Sequence, residues 1–383
     1  MNFKTFANAS RHENIDFIKF FLQNKIKKAM ELSKSNWKLP QIYAAISQSG
    51  GSNLGSRYGL KSEILFADTE LICAYEKGDG CIDYLIYRFD FKYYPRMREV
   101  SAFPLVVAVE ASSCCNLRCK MCFQRNMDVY HHEKQNAGIM SEKVYQRFLS
   151  ELDNQRLYSI VFASRGEPLL NPNIANMIHA AKAKGVMDIK LNTNATLLDE
   201  RMSRKLLESG LDLIVFSVDS IHPEVYQSIR GYDLSIVMQN IDRFLEIRAK
   251  EYPQSKLKTR VAMVVTKDLK DSDREIDGAR QYWTERVDEF SVKTENDFVL
   301  VYGSESYAID AEPCGLLWER LYLWYNGEVN PCDIDHFSKL SLGNIMRNDS
   351  IHQIWHGDKI NMLRQEHEKR CRSSVPCVGC RGY

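Results

Sequence analysis

Three closely spaced cysteines are the residues of this sequence best suited to chemistry. They follow the pattern C-x3-C-x2-C at Cys115, Cys119 and Cys122, shortly after the apolar run Leu105 to Val109. Three thiolates on one short loop can bind three irons of a [4Fe–4S] cluster and leave the fourth iron without a protein ligand. Catalytic metal sites keep such an open position, whereas structural sites are closed by four protein ligands. The spacing therefore favours an open cluster, with a zinc knuckle, or a disulfide framework in a secreted chain, as the alternatives.

Composition limits the classes of partner and the cell compartment. The chain has 383 residues, with 51 basic and 50 acidic side chains and a net charge of +1, which predicts neither nucleic-acid binding nor attachment to an anionic membrane. It shows no signal peptide at its start and no run of about 20 apolar residues, so we expect a cytoplasmic protein. In a large cytoplasmic chain, cysteines clustered at 114–122, 314–332 and 371–380 indicate metal binding.

The first hundred residues are predicted to form a separate α+β accessory region. Apolar residues from Asn14 to Leu32 recur with helical spacing, which predicts an amphipathic helix. The runs Glu63 to Tyr75 and Cys81 to Phe91 are β-rich, and Asp79-Gly80 between them predicts a hairpin. The region contains no catalytic constellation. We expect it either to dock a partner or cover the active site, or to serve as a packing or dimerisation element.

From residue 104 to residue 294, β-rich runs alternate with amphipathic helical stretches, which predicts right-handed βαβ units and a parallel sheet. The expected strands are Leu105–Val109, Ser159–Ala163, Asp188–Asn192, Leu213–Val218, Thr259–Val265 and Glu289–Lys293. The expected helices are Ser141–Leu152, Ile174–Ala183, Glu200–Glu208, Leu234–Ala249 and Asp273–Trp283. Six repeats fit a partial barrel better than a full eight-stranded one. In such barrels the chemistry lies at the carboxyl ends of the strands.

Short polar motifs stand at these strand ends. In chain order they are Gly166-Glu167-Pro168 after the second strand, Thr193-Asn194 closing the third, and Ser217-x-Asp219 closing the fourth, with Arg230 in a later Ile-Arg-Gly. Each is weak alone. The first has the composition of a turn, Asn194 fits a turn into the next helix, and Asp219 fits a helix cap.

Together with the cysteine loop, these motifs make residues 104–294 resemble the core of the radical S-adenosylmethionine (SAM) enzymes. The resemblance implies a (β/α)6 TIM-like barrel and a [4Fe–4S] cluster bound by three cysteines and SAM. It implies reductive cleavage of SAM to a 5′-deoxyadenosyl radical, which abstracts hydrogen from a substrate. A reducing protein such as flavodoxin or ferredoxin would supply the electron.

The resemblance also assigns residues to the SAM site. The Gly-Glu-Pro segment binds the SAM ammonium in this family, which suits an acceptor-rich loop. The usual aromatic before the last cysteine is Met121 here, so Phe123 on the other side of Cys122 becomes the candidate contact to adenine. The residues expected to bind SAM are Gly166, Glu167, Pro168, Thr193, Asn194, Ser217, Asp219, Arg230 and Phe123.

The C-terminal region carries a second set of cysteines. Asn326-Gly327 predicts a tight hairpin that brings Cys314 near Cys332, and a C-x2-C pair ends at Cys380. Four thiolates would close a metal site completely. The tail resembles the auxiliary-cluster domain called SPASM in its one-cluster form, often termed twitch. Cys371 is then a spare cysteine or exchanges with one of the four ligands. The resemblance implies that the ligands of this second [4Fe–4S] cluster are Cys314, Cys332, Cys377 and Cys380. A structural zinc site on the same thiolates is the alternative.

The sequence thus predicts an accessory region at 1–100, a radical SAM core at 101–300 and an auxiliary iron–sulfur domain at 301–383. A cluster with four protein ligands has no open iron, so we expect it to accept an electron from the substrate radical. This favours an oxidoreductase that removes two electrons from its substrate. Redox-neutral epimerisation remains an alternative, and no substrate-side acid, base or hydrogen donor is assigned.

Two substrate classes stay open. We expect a small carbohydrate-like molecule, because the first hundred residues lack the strands-then-helices order of the usual peptide-leader module. A ribosomally made peptide, modified by a maturase or epimerase, is the alternative. A non-enzymatic zinc or iron–sulfur scaffold is the alternative from another class, and the strand-end motifs argue against it. The sequence indicates no oligomeric state.

Overall fold

The computed structural model describes residues 11–47, 66–125, 137–267, 269, 272–295, 302 and 312–380. The chain divides into two compact units, Met1–Val100 and Ser101–Tyr383. In the described part of the chain, no helix combines the length and apolar character needed to cross a membrane.

The described part of the first unit is helical. Its helices are α1 (Arg11–Leu32), α2 (Lys38–Ser47), α3 (Asp68–Glu76) and α4 (Cys81–Met97). Helix α1 confirms the predicted amphipathic helix. The predicted hairpin is wrong. The first run is helical from Asp68, the second run lies entirely within α4, and the Asp79-Gly80 pair between them lies in a 3₁₀ turn, Gly78–Gly80. Residues 63–65 of the first run lie outside the described residues.

The spacing of buried side chains explains this correction. On α4, Cys81, Leu85 and Phe89 are fully buried and recur every four residues, which places them on one face of a helix. The aromatic and β-branched content of this run is typical of strands. That preference is weak, however, and packing of a helical face overrides it.

The second unit is built on an open nine-stranded sheet with the order β6-β5-β4-β3-β2-β1-β7-β8-β9. Its strands are β1 (Val106–Val109), β2 (Ser159–Phe162), β3 (Asp188–Thr193), β4 (Leu213–Ser217), β5 (Lys258–Val265), β6 (Glu289–Thr294), β7 (Arg320–Leu323), β8 (Glu328–Asn330) and β9 (Gly343–Asn344). Strands β1 to β6 are parallel to their neighbours, which confirms the predicted partial barrel. Strand β1 is buried along its whole length, as expected of a parallel sheet covered on both faces.

Helices follow the strands as predicted. They are α5 (Glu142–Glu151), α6 (Ile174–Ala183), α7 (Glu200–Glu208), α8 (Pro223–Arg230), α9 (Leu234–Glu251), α10 (Ser272–Thr284), α11 (Ile351–His356) and α12 (Asp358–Glu368). Side-chain caps fix several starts, since Ser141 accepts from the Val144 N–H and Asp199 accepts from the Met202 N–H. Such a cap stabilises a helix by about 1 kcal/mol. The short α8, which carries Arg230, was not among the helices predicted between the barrel strands.

The tail continues the core sheet. Strand β7 pairs in parallel with β1, with Leu321 opposite Val107, and then turns back antiparallel into β8. Gly327 has φ 87° at this turn, a left-handed conformation that glycine adopts without strain. The predicted Asn326-Gly327 hairpin is therefore confirmed, and it adjoins the first barrel strand.

Candidate metal centres

The loop after β1 brings the three predicted core cysteines together. Cys115, Cys119 and Cys122 are all partly buried, and the Cys122 N–H donates to the Cys119 carbonyl at 3.0 Å. Burial, with a smaller contribution from neighbouring thiols, raises the pKa of Cys115 and of Cys122 to about 11. Metal ligation requires the thiolate form, so cluster binding here would release protons. Three thiols on one partly exposed loop fit a cluster that keeps one iron for another ligand.

Gly166 lets the loop after β2 approach the cysteine loop. A Cβ at this position would lie 2.7 Å from the carbonyl carbon of Ser113, and closer still to the carbonyl oxygens of Ser112 and Cys114. The next residue, Glu167, donates its backbone N–H to the Cys114 carbonyl at 2.8 Å. The Gly-Glu-Pro segment therefore lies directly against the backbone that leads into the cysteines.

The Glu167 side chain joins this segment to the end of β3. Its carboxylate is 2% exposed and accepts hydrogen bonds from Thr193 Oγ1 at 2.7 Å, the Asn194 N–H at 2.8 Å and the Leu169 N–H at 3.0 Å. Burial raises the pKa of Glu167, and these donors offset part of that rise. Pro168 begins a buried 3₁₀ turn. Hydrogen bonds therefore join the predicted residues Glu167, Thr193 and Asn194.

A buried ion pair lies against Cys119 of the same loop. Arg230 Nε donates to Asp219 Oδ2 at 2.6 Å, and its Nη1 lies 3.8 Å from the Cys119 sulfur. Asp219 also accepts from the Val264 N–H at 2.9 Å. The N-cap residue of α8 is His222, so Asp219 does not cap that helix and instead holds Arg230 against the thiol.

Two other predicted SAM contacts, Ser217 and Phe123, lie at the end of β4 and against the tail. Ser217 ends β4 opposite Ala262 and is partly buried. The Phe123 ring stacks on His336, with ring centroids 4.3 Å apart and an interplanar angle of 21°. One face of Phe123 is thus covered by a tail residue, and its contact with adenine stays a prediction.

The sequence did not single out several residues that complete the strand ends. Asn116, inside the cysteine loop, accepts from Asn194 Nδ2 at 3.0 Å and donates to Thr196 Oγ1 at 2.7 Å. Glu110, directly after β1, forms a two-bond ion pair with Arg165 at 2.6 and 2.8 Å. The available signal was position, because charged side chains directly after parallel strands lie where the chemistry of such folds gathers.

The tail gathers four of its five cysteines. Cys314, Cys332 and Cys377 are partly buried thiols whose pKa is raised by burial, that of Cys377 to about 12. Neighbouring thiols act on them electrostatically, Cys380 on Cys314 and Cys377, and Cys314 on Cys332 and Cys377. Cys371 is exposed, and its role stays a prediction.

Unpaired donors beside these thiols provide a test of fit for a cluster. Arg372 Nε and His367 Nε2 are buried and have no hydrogen-bond partner among the described residues. A group that presents sulfur acceptors would satisfy such donors. No three Cys, His, Asp or Glu side chains of the described part are placed to hold a single metal ion. This is compatible with a cluster, whose ligands are spread over the corners of a cube.

The chain matches two family models. Residues 109–276 match the radical SAM superfamily, and residues 314–381 match SPASM, an iron–sulfur cluster-binding domain. Together the two matches cover more than half of the chain.

Two curated relatives share the core region. The tungsten-containing aldehyde ferredoxin oxidoreductase cofactor-modifying protein of Pyrococcus furiosus is 30% identical over 162 residues, which are 42% of this chain and 43% of that protein. GTP 3′,8-cyclase of Aquifex aeolicus is 32% identical over 173 residues, 44% of this chain and 50% of that protein. The chain therefore spans half or less of the length of these relatives.

A solved structure shares the fold over a longer part of the chain. SuiB of Streptococcus suis, bound to its precursor peptide SuiA, superposes with a TM-score of 0.55 over 88% of this chain and 80% of SuiB, at 16% identity. At this identity the likeness concerns the fold alone. The family matches agree with the clustered cysteines: the chain belongs to the radical SAM superfamily and carries a C-terminal SPASM domain, and these two domains imply SAM and [4Fe–4S] clusters, including an auxiliary one.

Proposed function

We propose that this enzyme removes two electrons from a small carbohydrate-like molecule and passes one of them to the auxiliary cluster. In this proposal Cys115, Cys119 and Cys122 hold the core cluster, and the four gathered tail cysteines hold the auxiliary cluster. SAM bound at the core supplies a 5′-deoxyadenosyl radical that abstracts hydrogen. The chain itself binds and orients the substrate and excludes water.

A buried contact between the two metal sites carries the proposal. Phe123, next to the core ligand Cys122, stacks on His336, which lies in the same loop as the tail ligand Cys332. Arg165 Nη1 strengthens the contact by donating to the His336 carbonyl at 3.2 Å. Burial lowers the pKa of His336 to about 4, so its ring packs there uncharged at neutral pH. An electron acceptor in the tail would therefore lie beside the core site.

The same end of the sheet is stiffened by a buried ion pair. Glu110 and Arg165 follow β1 and β2, and the Arg165 guanidinium lies 3.4 Å from the centre of the Trp324 ring, after β7. Glu110 neutralises the arginine, and the two hydrogen bonds fix its plane. This group of three packed side chains supports the proposal, because a radical reaction needs a rigid wall that keeps water away from the substrate.

Unpaired polar groups at this wall support a hydroxyl-rich substrate. Ser164 Oγ and Trp324 Nε1 are buried and have no partner among the described residues. Ser164 also has φ 126°, a strained conformation for a residue other than glycine, and such strain is common at functional sites. Sugar hydroxyl groups would accept the Trp324 N–H and pair with the serine hydroxyl.

A peptide substrate is the second candidate. The observation that favours it is the fold shared with SuiB, solved with a precursor peptide, over 88% of this chain. Against it, the described part of the first unit consists of helices, which present no sheet edge for an extended peptide. Epimerisation remains a possible outcome for either substrate class.

A substrate panel tests the proposal. Anaerobically reconstituted enzyme with SAM and reduced flavodoxin or dithionite is offered aminocyclitols, nucleotide-linked sugars and synthetic precursor peptides. We expect one carbohydrate-like compound to yield a product lighter by two hydrogens, in equal amount to 5′-deoxyadenosine. Turnover of a peptide alone, or a product of unchanged mass with an inverted centre, would overturn the proposal. The variant C377A is the control, because it should cleave SAM without forming product in proportion.

A further inference from the structure

We propose that Arg372 is a positioning residue of the auxiliary site, which donates an N–H hydrogen bond and a positive charge to its cluster and thereby raises the reduction potential of that cluster. The inference rests on the proposed function, because it requires that the four tail cysteines hold a [4Fe–4S] cluster. It adds to that function a reason why this cluster can accept an electron.

Arg372 connects the two segments that carry the tail ligands. Its side chain is almost fully buried, and its Nη1 donates to the Cys380 carbonyl at 3.1 Å. Its Nη2 donates to the Glu312 carbonyl, which precedes Cys314 by two residues. One planar guanidinium therefore links the segment before Cys314, the first tail cysteine in the sequence, to Cys380, the last.

The third donor of this guanidinium is left over. Arg372 Nε is buried and has no partner among the described residues. A buried unpaired donor costs about 1–3 kcal/mol, so a native site is expected to provide an acceptor. The charge of Arg372 acts on the thiols of Cys314 and Cys377, which places the guanidinium beside two of the proposed ligands. Thiolate and sulfide atoms of a bound cluster are the acceptors that this position offers.

His367 supplies a second, uncharged donor at the same place. Its Nδ1 accepts the Cys314 N–H at 3.0 Å, so the ring proton is on Nε2 in the neutral form. That Nε2 is also buried without a partner among the described residues. Arg372 is therefore the cation of this site and His367 its dipolar partner.

A cation beside the cluster favours the reduced state. A [4Fe–4S] cluster with four thiolates is negatively charged overall, and reduction adds one more negative charge. Hydrogen bonds to sulfur and nearby positive charge stabilise the more negative state more strongly, which raises the potential. Loss of the charge should make the cluster a poorer electron acceptor.

The experiment isolates the auxiliary cluster in the full-length chain. The substitutions Cys115→Ala, Cys119→Ala and Cys122→Ala remove the core ligands, and the chain is labelled with ¹⁵N-arginine. Pulsed electron paramagnetic resonance of the reduced cluster should show a ¹⁵N coupling that disappears in R372Q. At a fixed poise R372Q should show a tenfold lower ratio of reduced to oxidised cluster, about 59 mV for one electron. R370Q is the matched control, because Arg370 pairs with Glu312 at the surface, at 2.6 Å.

The outcomes separate this inference from the proposed function. A cluster without ¹⁵N coupling, or an unchanged ratio in R372Q, or an equal shift in R370Q, overturns the inference alone. A tail that binds zinc and no iron overturns the proposed function and the inference with it. If R372Q does not retain its cluster, R372K decides. R372K keeps the charge but lacks the labelled guanidinium. We therefore expect the ¹⁵N coupling to vanish and the ratio of reduced to oxidised cluster to change by less than threefold. A retained ¹⁵N coupling would contradict the inference.

Discussion

The two cysteine sites of this chain are built in opposite ways. The core site takes Cys115, Cys119 and Cys122 from one loop, whereas the tail site takes its thiols from segments that begin at Cys314 and end at Cys380. The core loop is contacted by the backbone N–H of Glu167, after β2, and by the side chain of Arg230, at the end of α8. The tail segments are joined by Arg372 and His367. Spacing alone indicates the first site, while the second forms only when the fold does.

The number of thiols at each site predicts a different chemical role. Under the proposed ligand assignment, three thiols leave a position for SAM, so loss of the core site should stop the reaction at its first step. Four thiols leave no open iron, so loss of the tail site should act later.

Removal of a core ligand should give the largest effect. In C119A we expect 5′-deoxyadenosine production to fall to background, because the cluster that binds SAM is lost. The auxiliary cluster should remain, with about four irons per chain. The measurement is chromatographic quantification of 5′-deoxyadenosine together with an iron assay. SAM cleavage that survives in C119A would contradict the assignment of the core.

Removal of a tail ligand should separate SAM cleavage from product formation. In C377A we expect SAM cleavage to persist while product per 5′-deoxyadenosine falls by about tenfold or more, since the electron acceptor is missing. The spare cysteine is the control, because C371A should leave the ratio unchanged. Equal coupling in C377A and wild type would reduce the tail to a structural role.

Exchange of the arginine beside the core thiols should weaken SAM binding. In R230K the planar fork that spans Asp219 and Cys119 is lost while the charge is kept, and we expect an affinity for SAM lower by about tenfold. Equilibrium dialysis on the reconstituted protein measures it. R204K is the control, because Arg204 pairs with Glu251 at the surface. An unchanged affinity in R230K would show that Arg230 does not contribute to the SAM site.

A methyl group at the close approach of two loops should give the smallest effect. Gly166→Ala places a Cβ 2.7 Å from the Ser113 backbone, and we expect a loss of about 1–3 kcal/mol in the free energy of unfolding, with lower iron content at the core. Gly278→Ala, within α10, is the control. Its Cβ would lie 3.7 Å from the Ile221 side chain, which is an ordinary van der Waals contact. Equal unfolding curves for the two variants would contradict the tight packing at Gly166.

Periodic and local features were predictable from the sequence. The six barrel strands and their helices repeat with regular spacing, and the structure places each predicted element within about two residues. The hairpin in the tail was predictable because Asn-Gly specifies its own turn. The hairpin predicted in the first unit failed, because the composition of Cys81 to Phe91 is strand-like while its packing is helical.

Contacts between distant segments were not predictable. Glu110, Arg165 and Trp324 meet only because β7 joins the core sheet beside β1. The helix α8, which presents Arg230 to Cys119, is too short for its period to show. Arg372 and His367 lie in a polar stretch with no motif, and only the folded tail shows that their donors are left over.

The central assignment, a [4Fe–4S] cluster at each of the two cysteine sites, is tested by counting iron, sulfide and zinc in wild type, C119A and C377A. SAM cleavage is assayed on the same samples. We predict about eight irons in wild type and about four in each variant, with SAM cleavage lost only in C119A. About four irons and one zinc in wild type would contradict the auxiliary cluster. Zinc alone without SAM cleavage would contradict the account as a whole.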